Sequence, residues 1–112
     1  MTDLTYLKEI AQGDTSFIKK MVILFINKTP EEIGNLEKYN AGKNWKLLNG
    51  VAHKMKPSFT FVGLQNLTGI LNCIEEYSEN ENHLDLIPGL IANLKESCLL
   101  AILELELYNT NL

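Results

Sequence analysis

The run Trp45-Lys46-Leu47-Leu48-Asn49-Gly50-Val51-Ala52-His53-Lys54-Met55-Lys56-Pro57-Ser58-Phe59-Thr60-Phe61 decides how this chain is read. Laid out at about 100° per residue, Leu48, Val51, Ala52, Met55, Phe59 and the following Val62 fall within about 60° of one direction. A stripe that wide on a 3.6-residue period is the core side of an amphipathic helix. His53 then lies about 140° from the core direction and points to solvent. Asn44, just before the run, is a candidate N-cap.

Working outward, every other segment is also helical in period, with no β-like alternation. A short helix is expected from about Leu4 to Gln12, with Leu4, Leu7, Ile10 and Ala11 on one side and Gly13 ending it. Asp14 is the expected N-cap of a second helix carrying Phe17, Ile18, Met21, Val22, Leu24 and Phe25. Thr29-Pro30 interrupts it, yet the period resumes at Ile33, Leu36 and Tyr39. One long helix kinked near Pro30 is favoured over two helices, because no loop residues separate the halves. After Trp45–Phe61 a fourth segment starts near Leu64 and carries Leu67, Ile70, Leu71, Ile74 and Tyr77. Residues 78–83 read as a polar, acidic loop. A last helix starts between Leu84 and Pro88 and repeats Ile91, Leu94, Cys98, Ala101, Leu105 and Tyr108. The expected fold is all-α: an antiparallel up-and-down four-helix bundle with a short extra N-terminal helix.

The 112 residues suit one domain spanning 1–112. Hydrophobic content of 46% and charged content of 21% are those of an ordinary globular protein. A net charge of -4 argues against nucleic acid as the partner. No uninterrupted apolar run reaches membrane-spanning length, and the N-terminus has no signal-peptide pattern, so no membrane role and a cytoplasmic location are expected. Cys73 and Cys98 sit in apolar helical patterns and read as two buried thiols. There is no Cys-x-x-Cys pair or His/Cys cluster to bind zinc, and no metal site is expected.

The neighbours of His53 point to chemistry. Gly50, one turn before it, costs a helix about 1 kcal/mol relative to alanine. Pro57, one turn after it, costs about 3 kcal/mol and deletes the hydrogen bond to the carbonyl of His53. Asn49 and Thr60 are short and polar, and Lys46 and Lys56 bring positive charge to the same side. Such violations of helix rules make sense where the surface beside the imidazole must be low and open. Imidazole is a nucleophile near neutral pH, with an unperturbed pKa of about 6.5. Phosphoryl transfer asks chiefly for positioning and positive charge, which Lys56, Lys46 and Lys54 can supply. No glycine-rich phosphate loop and no carboxylate pair beside the histidine is evident, so any nucleotide or metal must come with another protein.

These residues resemble the histidine-containing phosphotransfer domains of two-component phosphorelays. The family pattern is a histidine, a hydrophobic residue at +2, lysine at +3, usually glycine at +4, and glycine at +10. Here they are His53, Met55, Lys56, Pro57 and Gly63, with Gly13-Asp14, Phe17, Phe25 and Pro30 as the lead-in. Pro57 departs from the usual glycine. The resemblance implies that His53 accepts a phosphoryl group from a receiver aspartate and passes it to another, with Lys56 stabilising the group. The partners implied are receiver domains of a hybrid histidine kinase and of a response regulator, the receiver bringing Mg²⁺; no cofactor is expected on this chain. The docking strip expected around His53 comprises Lys46, Asn49, Gly50, Lys54, Pro57, Thr60 and Phe61, with Phe61 as an outward apolar anchor. A free-standing monomeric shuttle is expected rather than an excised domain of a hybrid kinase.

Two rivals come from other classes. One is a non-phosphorylated helical adaptor that binds and sequesters a receiver through the same face. The other is a homodimeric structural bundle joined through Leu99, Leu100, Leu103 and Leu107, which lie off the main stripe of the last helix. The expectation against the second is that these leucines pack under the N-terminal helix.

Overall fold

The computed structural model describes residues 2–111. Five α-helices account for almost all of them: α1 Thr5–Ala11, α2 Thr15–Ala41, α3 Trp45–Phe61, α4 Gln65–Asn80 and α5 Ile87–Thr110, the last entered through one 3₁₀ turn at Leu84–Leu86. Local chemistry sets the boundaries. The Asp14 carboxylate accepts from the amide of Phe17 at 3.1 Å, and the Asn44 side chain from that of Leu47 at 3.3 Å. Each satisfies an amide that the first helical turn leaves without a partner. Pro88 lies in the first turn of α5, where its missing N–H costs nothing.

Helix α2 runs unbroken through Pro30, which lies on its exposed side. Its buried stripe is Ile18, Val22, Phe25, Thr29, Ile33 and Leu36. Short links make sequential helices antiparallel neighbours. The strongest contacts are α3 with α4, α2 with α5 and α2 with α3, and α4 with α5 closes the ring. The core runs along the bundle axis through Val22, Leu36, Leu48, Met55, Phe59, Leu71, Ile74, Leu94 and Leu105, all essentially without solvent contact. Helix α1 packs against α2 and buries only Leu7, with Leu4 just before it.

Several expectations need correction. Residues 78–80 belong to α4 and not to a loop; the Ser78 hydroxyl is buried and donates to the carbonyls of Ile74 and Glu75 at 2.7 and 3.0 Å. A serine satisfied by its own helix has no need of a turn. Leu24 and Ile10 are exposed: Leu24 lies one residue off the stripe that α2 buries, and α1 buries only Leu7. Cys98 is buried, and burial pushes its thiol up to about 12, but Cys73 is only half-buried. Leu99, Leu100, Leu103 and Leu107 do not pack under α1; they are 53%, 55%, 59% and 68% exposed.

The turn after α3 explains one glycine of the motif. Gly63 has φ +74, a conformation that suits a residue without Cβ. The N-terminal segment crosses this turn, with the Asp3 amide donating to the Val62 carbonyl at 3.0 Å. A Cβ on Gly63 would stand 2.2 Å from the Asp3 carbonyl oxygen.

Candidate functional site

Helix α3 buries Leu48, Ala52, Met55 and Phe59 and turns His53 outward, its side chain 71% exposed. The imidazole is nevertheless held from one side. Its Nδ1 lies 2.6 Å from Glu75 Oε1 on α4. The other carboxylate oxygen, Oε2, receives the Lys56 ammonium at 2.5 Å, and Lys56 Nζ also donates to Asn72 Oδ1 at 3.1 Å. The Asn49 side chain donates to the backbone carbonyl of Glu75 at 2.7 Å, tying the two helices together one turn from His53. Glu75 is thus shared between an imidazole and an ammonium. Burial pushes its carboxyl up, but the hydrogen bonds and charges of Lys56 and His53 outweigh this and hold it below the ordinary glutamate range.

The tautomer follows from the carboxylate. An ionised carboxylate can only accept, so Nδ1 carries the proton in this contact. In the neutral ring that leaves the lone pair on Nε2, at the exposed edge. The arrangement is a nucleophile presented to solvent, with its rear nitrogen clamped.

The expected strip divides around this centre. Gly50 and Pro57 are exposed beside His53, and a Cβ on Gly50 would meet nothing within 4 Å. Asn49 and Lys56 join the centre through Glu75. Lys46 is exposed and lines a depression with Trp45, Asn49, Glu79 and Glu81 toward the end of α4. Lys54 flanks the opposite side, at a cleft between α2 and α3 of about 130 Å³ whose wall includes Met21, Leu24, Lys28, Glu32 and Phe61. Burial pushes the Glu32 carboxyl up there, against the pull of Lys28 and Lys54. Thr60 is half-buried, its hydroxyl donating to the Lys56 carbonyl at 3.4 Å. Phe61 is not an outward anchor; it is half-buried and stacks on Tyr6, ring centroids 5.9 Å apart. The N-terminal segment that needs Gly63 also brings Tyr6 over this ring.

Neither Glu75 nor Asn72 was among the expected site residues. They lie one turn apart on α4, beside the buried stripe of Leu67, Leu71 and Ile74. That spacing is a signal for a polar flank, but it does not say which α3 residue the flank meets.

No family model matches this sequence, and no curated protein matches it. Among solved structures, histidine-containing phosphotransfer protein B (HptB) from Pseudomonas aeruginosa PAO1 is similar with a TM-score of 0.87 at 17% identity, over 97% of this chain and 91% of that one. The fold is that of a histidine-containing phosphotransfer protein. On this fold the outward histidine of α3 combines an exposed imidazole with a fixed rear contact to Glu75.

Proposed function

We propose that this chain is a phosphorelay intermediate in which His53 takes a phosphoryl group from a receiver-domain aspartate and hands it to the aspartate of another receiver. The observation that carries the reading is the pairing of an exposed Nε2 with an Nδ1 held at 2.6 Å by Glu75. In the forward step the Nε2 lone pair attacks phosphorus, the N–P bond forms, and the P–O bond to the aspartate breaks with the electrons leaving on the carboxylate. The proton stays on Nδ1, where Glu75 balances the positive charge that the ring acquires. The second transfer is the same exchange with another aspartate as nucleophile. The donor and acceptor receivers supply Mg²⁺ and their acidic pockets, and a cytoplasmic setting suits such partners.

Lys56 serves two purposes in this reading. It neutralises Glu75, which would otherwise repel an incoming phosphoryl group, and it adds positive charge beside the imidazole. Lys46, Lys54, Asn49 and Thr60 border the contact, while Gly50 and Pro57 keep the approach low. Phe61 contributes through the wall of the cleft between α2 and α3 instead of as a projecting anchor. The resemblance in motif and the similarity in fold to HptB, a phosphotransfer protein by its description, support the same reading.

The experiment is incubation with a phosphorylated receiver. An acid-labile, base-stable label is expected on the wild type and none on His53→Gln. His83 lies by the acidic end of α4, against the Tyr77 ring, and is expected to stay unlabelled. Label of undiminished intensity on His53→Gln would overturn the assignment.

A further inference from the structure

Helix α5 is apolar on both sides. Ile87, Ile91, Leu94, Cys98, Ala101 and Leu105 face the core, and the helix also carries Leu99, Leu100, Leu103 and Leu107 outside it. On a helical wheel Leu103 lies about 155° from the centre of the core set, so the two faces are nearly opposite. A helix apolar all round is normally buried all round. By length and composition Leu84–Thr110 could even cross a membrane, although 33% of its most apolar stretch is buried in the bundle.

We propose that the outward face of α5 is a two-fold interface with a second copy of this chain. The charge pattern identifies the occupant. Lys95 and Glu106, both exposed, fall within about 20° of each other on the same flank of the leucine face. They are about 16 Å apart along the axis, one at each end of the leucine cluster. In an antiparallel two-fold pair the same flanks meet with their ends exchanged. Lys95 of each copy therefore faces Glu106 of the other, centred between Leu100 and Ala101.

The same register sets Leu103 of the partner level with Cys98, about 1.5 Å along the axis from Leu99, twice. A shallow groove of about 80 Å³ already lies beside Leu99, between α2 and α5, walled by Pro30, Ile33, Cys98 and Ile102. The partner's Leu103 falls at its mouth. A surface carrying both the knob and the groove, with Lys95 and Glu106 of one flank exchanging ends, is self-complementary in the way an isologous interface requires. An anionic lipid surface fits less well, since Glu96 and Glu106 are exposed on this face and interfacial helices favour Lys and Arg there. Helix α3 sits diagonally across the bundle from α5, so pairing leaves His53 uncovered in both copies. This inference does not depend on the phosphotransfer reading, and it replaces the monomer expected from sequence, which assumed that these leucines were covered by α1.

Sedimentation equilibrium of the whole chain tests it. The wild type is expected at twice 12.7 kDa at micromolar concentrations, and Leu103→Glu at 12.7 kDa with unchanged helical circular dichroism. Lys95→Glu should weaken association at least about tenfold. The double variant Lys95→Glu/Glu106→Lys should restore it, which loss of the native Lys95–Glu37 pair at 3.3 Å cannot mimic. A wild type monomeric up to about 0.5 mM, well above the range of functional weak dimers, overturns the proposal. So does a dimer indifferent to Leu103→Glu, or a monomer that binds neutral or anionic phospholipid vesicles through this face.

Discussion

The turn that ends α3 and the middle of the same helix each carry a glycine, and the two are there for opposite reasons. At Gly63 the chain itself forbids a side chain: φ is +74, and the Asp3 backbone occupies the place of the Cβ. At Gly50 the chain forbids nothing, since a Cβ would meet no atom within 4 Å. Gly34, Gly69 and Gly89 are equally open, so openness alone singles out no position. What distinguishes Gly50 is that it lies one turn before an exposed, clamped histidine. The first glycine is explained by folding; the second is explained by something that must come close from outside.

The largest effect expected from this contrast is on stability. Gly63→Ala combines a left-handed backbone, unfavourable for alanine, with a collision against backbone that cannot swing aside. The expected loss is about 3 kcal/mol, read as a lower urea midpoint with an unchanged slope. Gly63→Asn tolerates the left-handed φ better but keeps the collision, so it should lose nearly as much. If Gly63→Asn were as stable as wild type, the crossing of Asp3 would not be the reason for this glycine.

The middle of α3 should respond in the opposite sense. Gly50→Gln replaces a poor helix former by a better one at an open site, and should stabilise by about 0.5 kcal/mol. Transfer from a phosphorylated receiver should nevertheless fall at least about tenfold, equivalent to about 1.4 kcal/mol on the barrier. Labelling by a small phosphodonor, which needs no protein docking, should persist. Normal receiver transfer by Gly50→Gln would remove this residue from the docking strip and leave its contrast with Gly63 without a functional meaning.

The same divide separates what the sequence discloses from what it hides. The stripe Leu48, Ala52, Met55 and Phe59 and the caps Asp14 and Asn44 were legible because each depends on neighbours within a turn or two. The outward direction of His53 follows from the same stripe. Glu75 was not legible as its partner, because the register of α4 against α3 is decided by packing of both stripes together. Ser78 reads as loop in the sequence because composition cannot say that a hydroxyl will turn back on its own carbonyls. Phe61 is hidden for a third reason: its ring stacks on Tyr6, which arrives from the N-terminal end of the sequence. The leucines of α5 were seen, but whether α1 covers them is a question of tertiary placement.

The smallest expected effect concerns the clamp itself and is read through pH. The Glu75 carboxyl is held below the ordinary glutamate range in the fold, on balance, because Lys56 and His53 together outweigh its burial. A carboxyl with a depressed folded pKa contributes stability that is fully present above its unfolded value, about 4.3, and is lost as pH falls through the folded one. Glu75→Gln removes that contribution while keeping the side chain's size. Its urea midpoint should therefore lie slightly below wild type at about pH 5, and the gap should narrow as the pH falls below the ordinary glutamate range. Asp3 and Glu104 are also lowered, by hydrogen bonds from Thr5 and Thr2, but both are present in each protein and cancel. The effect is small because the members of the cluster keep access to water, His53 most of all. Equal midpoints at pH 5 would mean that the Glu75 contacts contribute nothing net to folding. A change in the pH profile of transfer in Glu75→Gln would then assign the clamp to orientation of the imidazole alone. Unchanged midpoints together with an unchanged profile would leave His53 an exposed histidine whose neighbours do not matter.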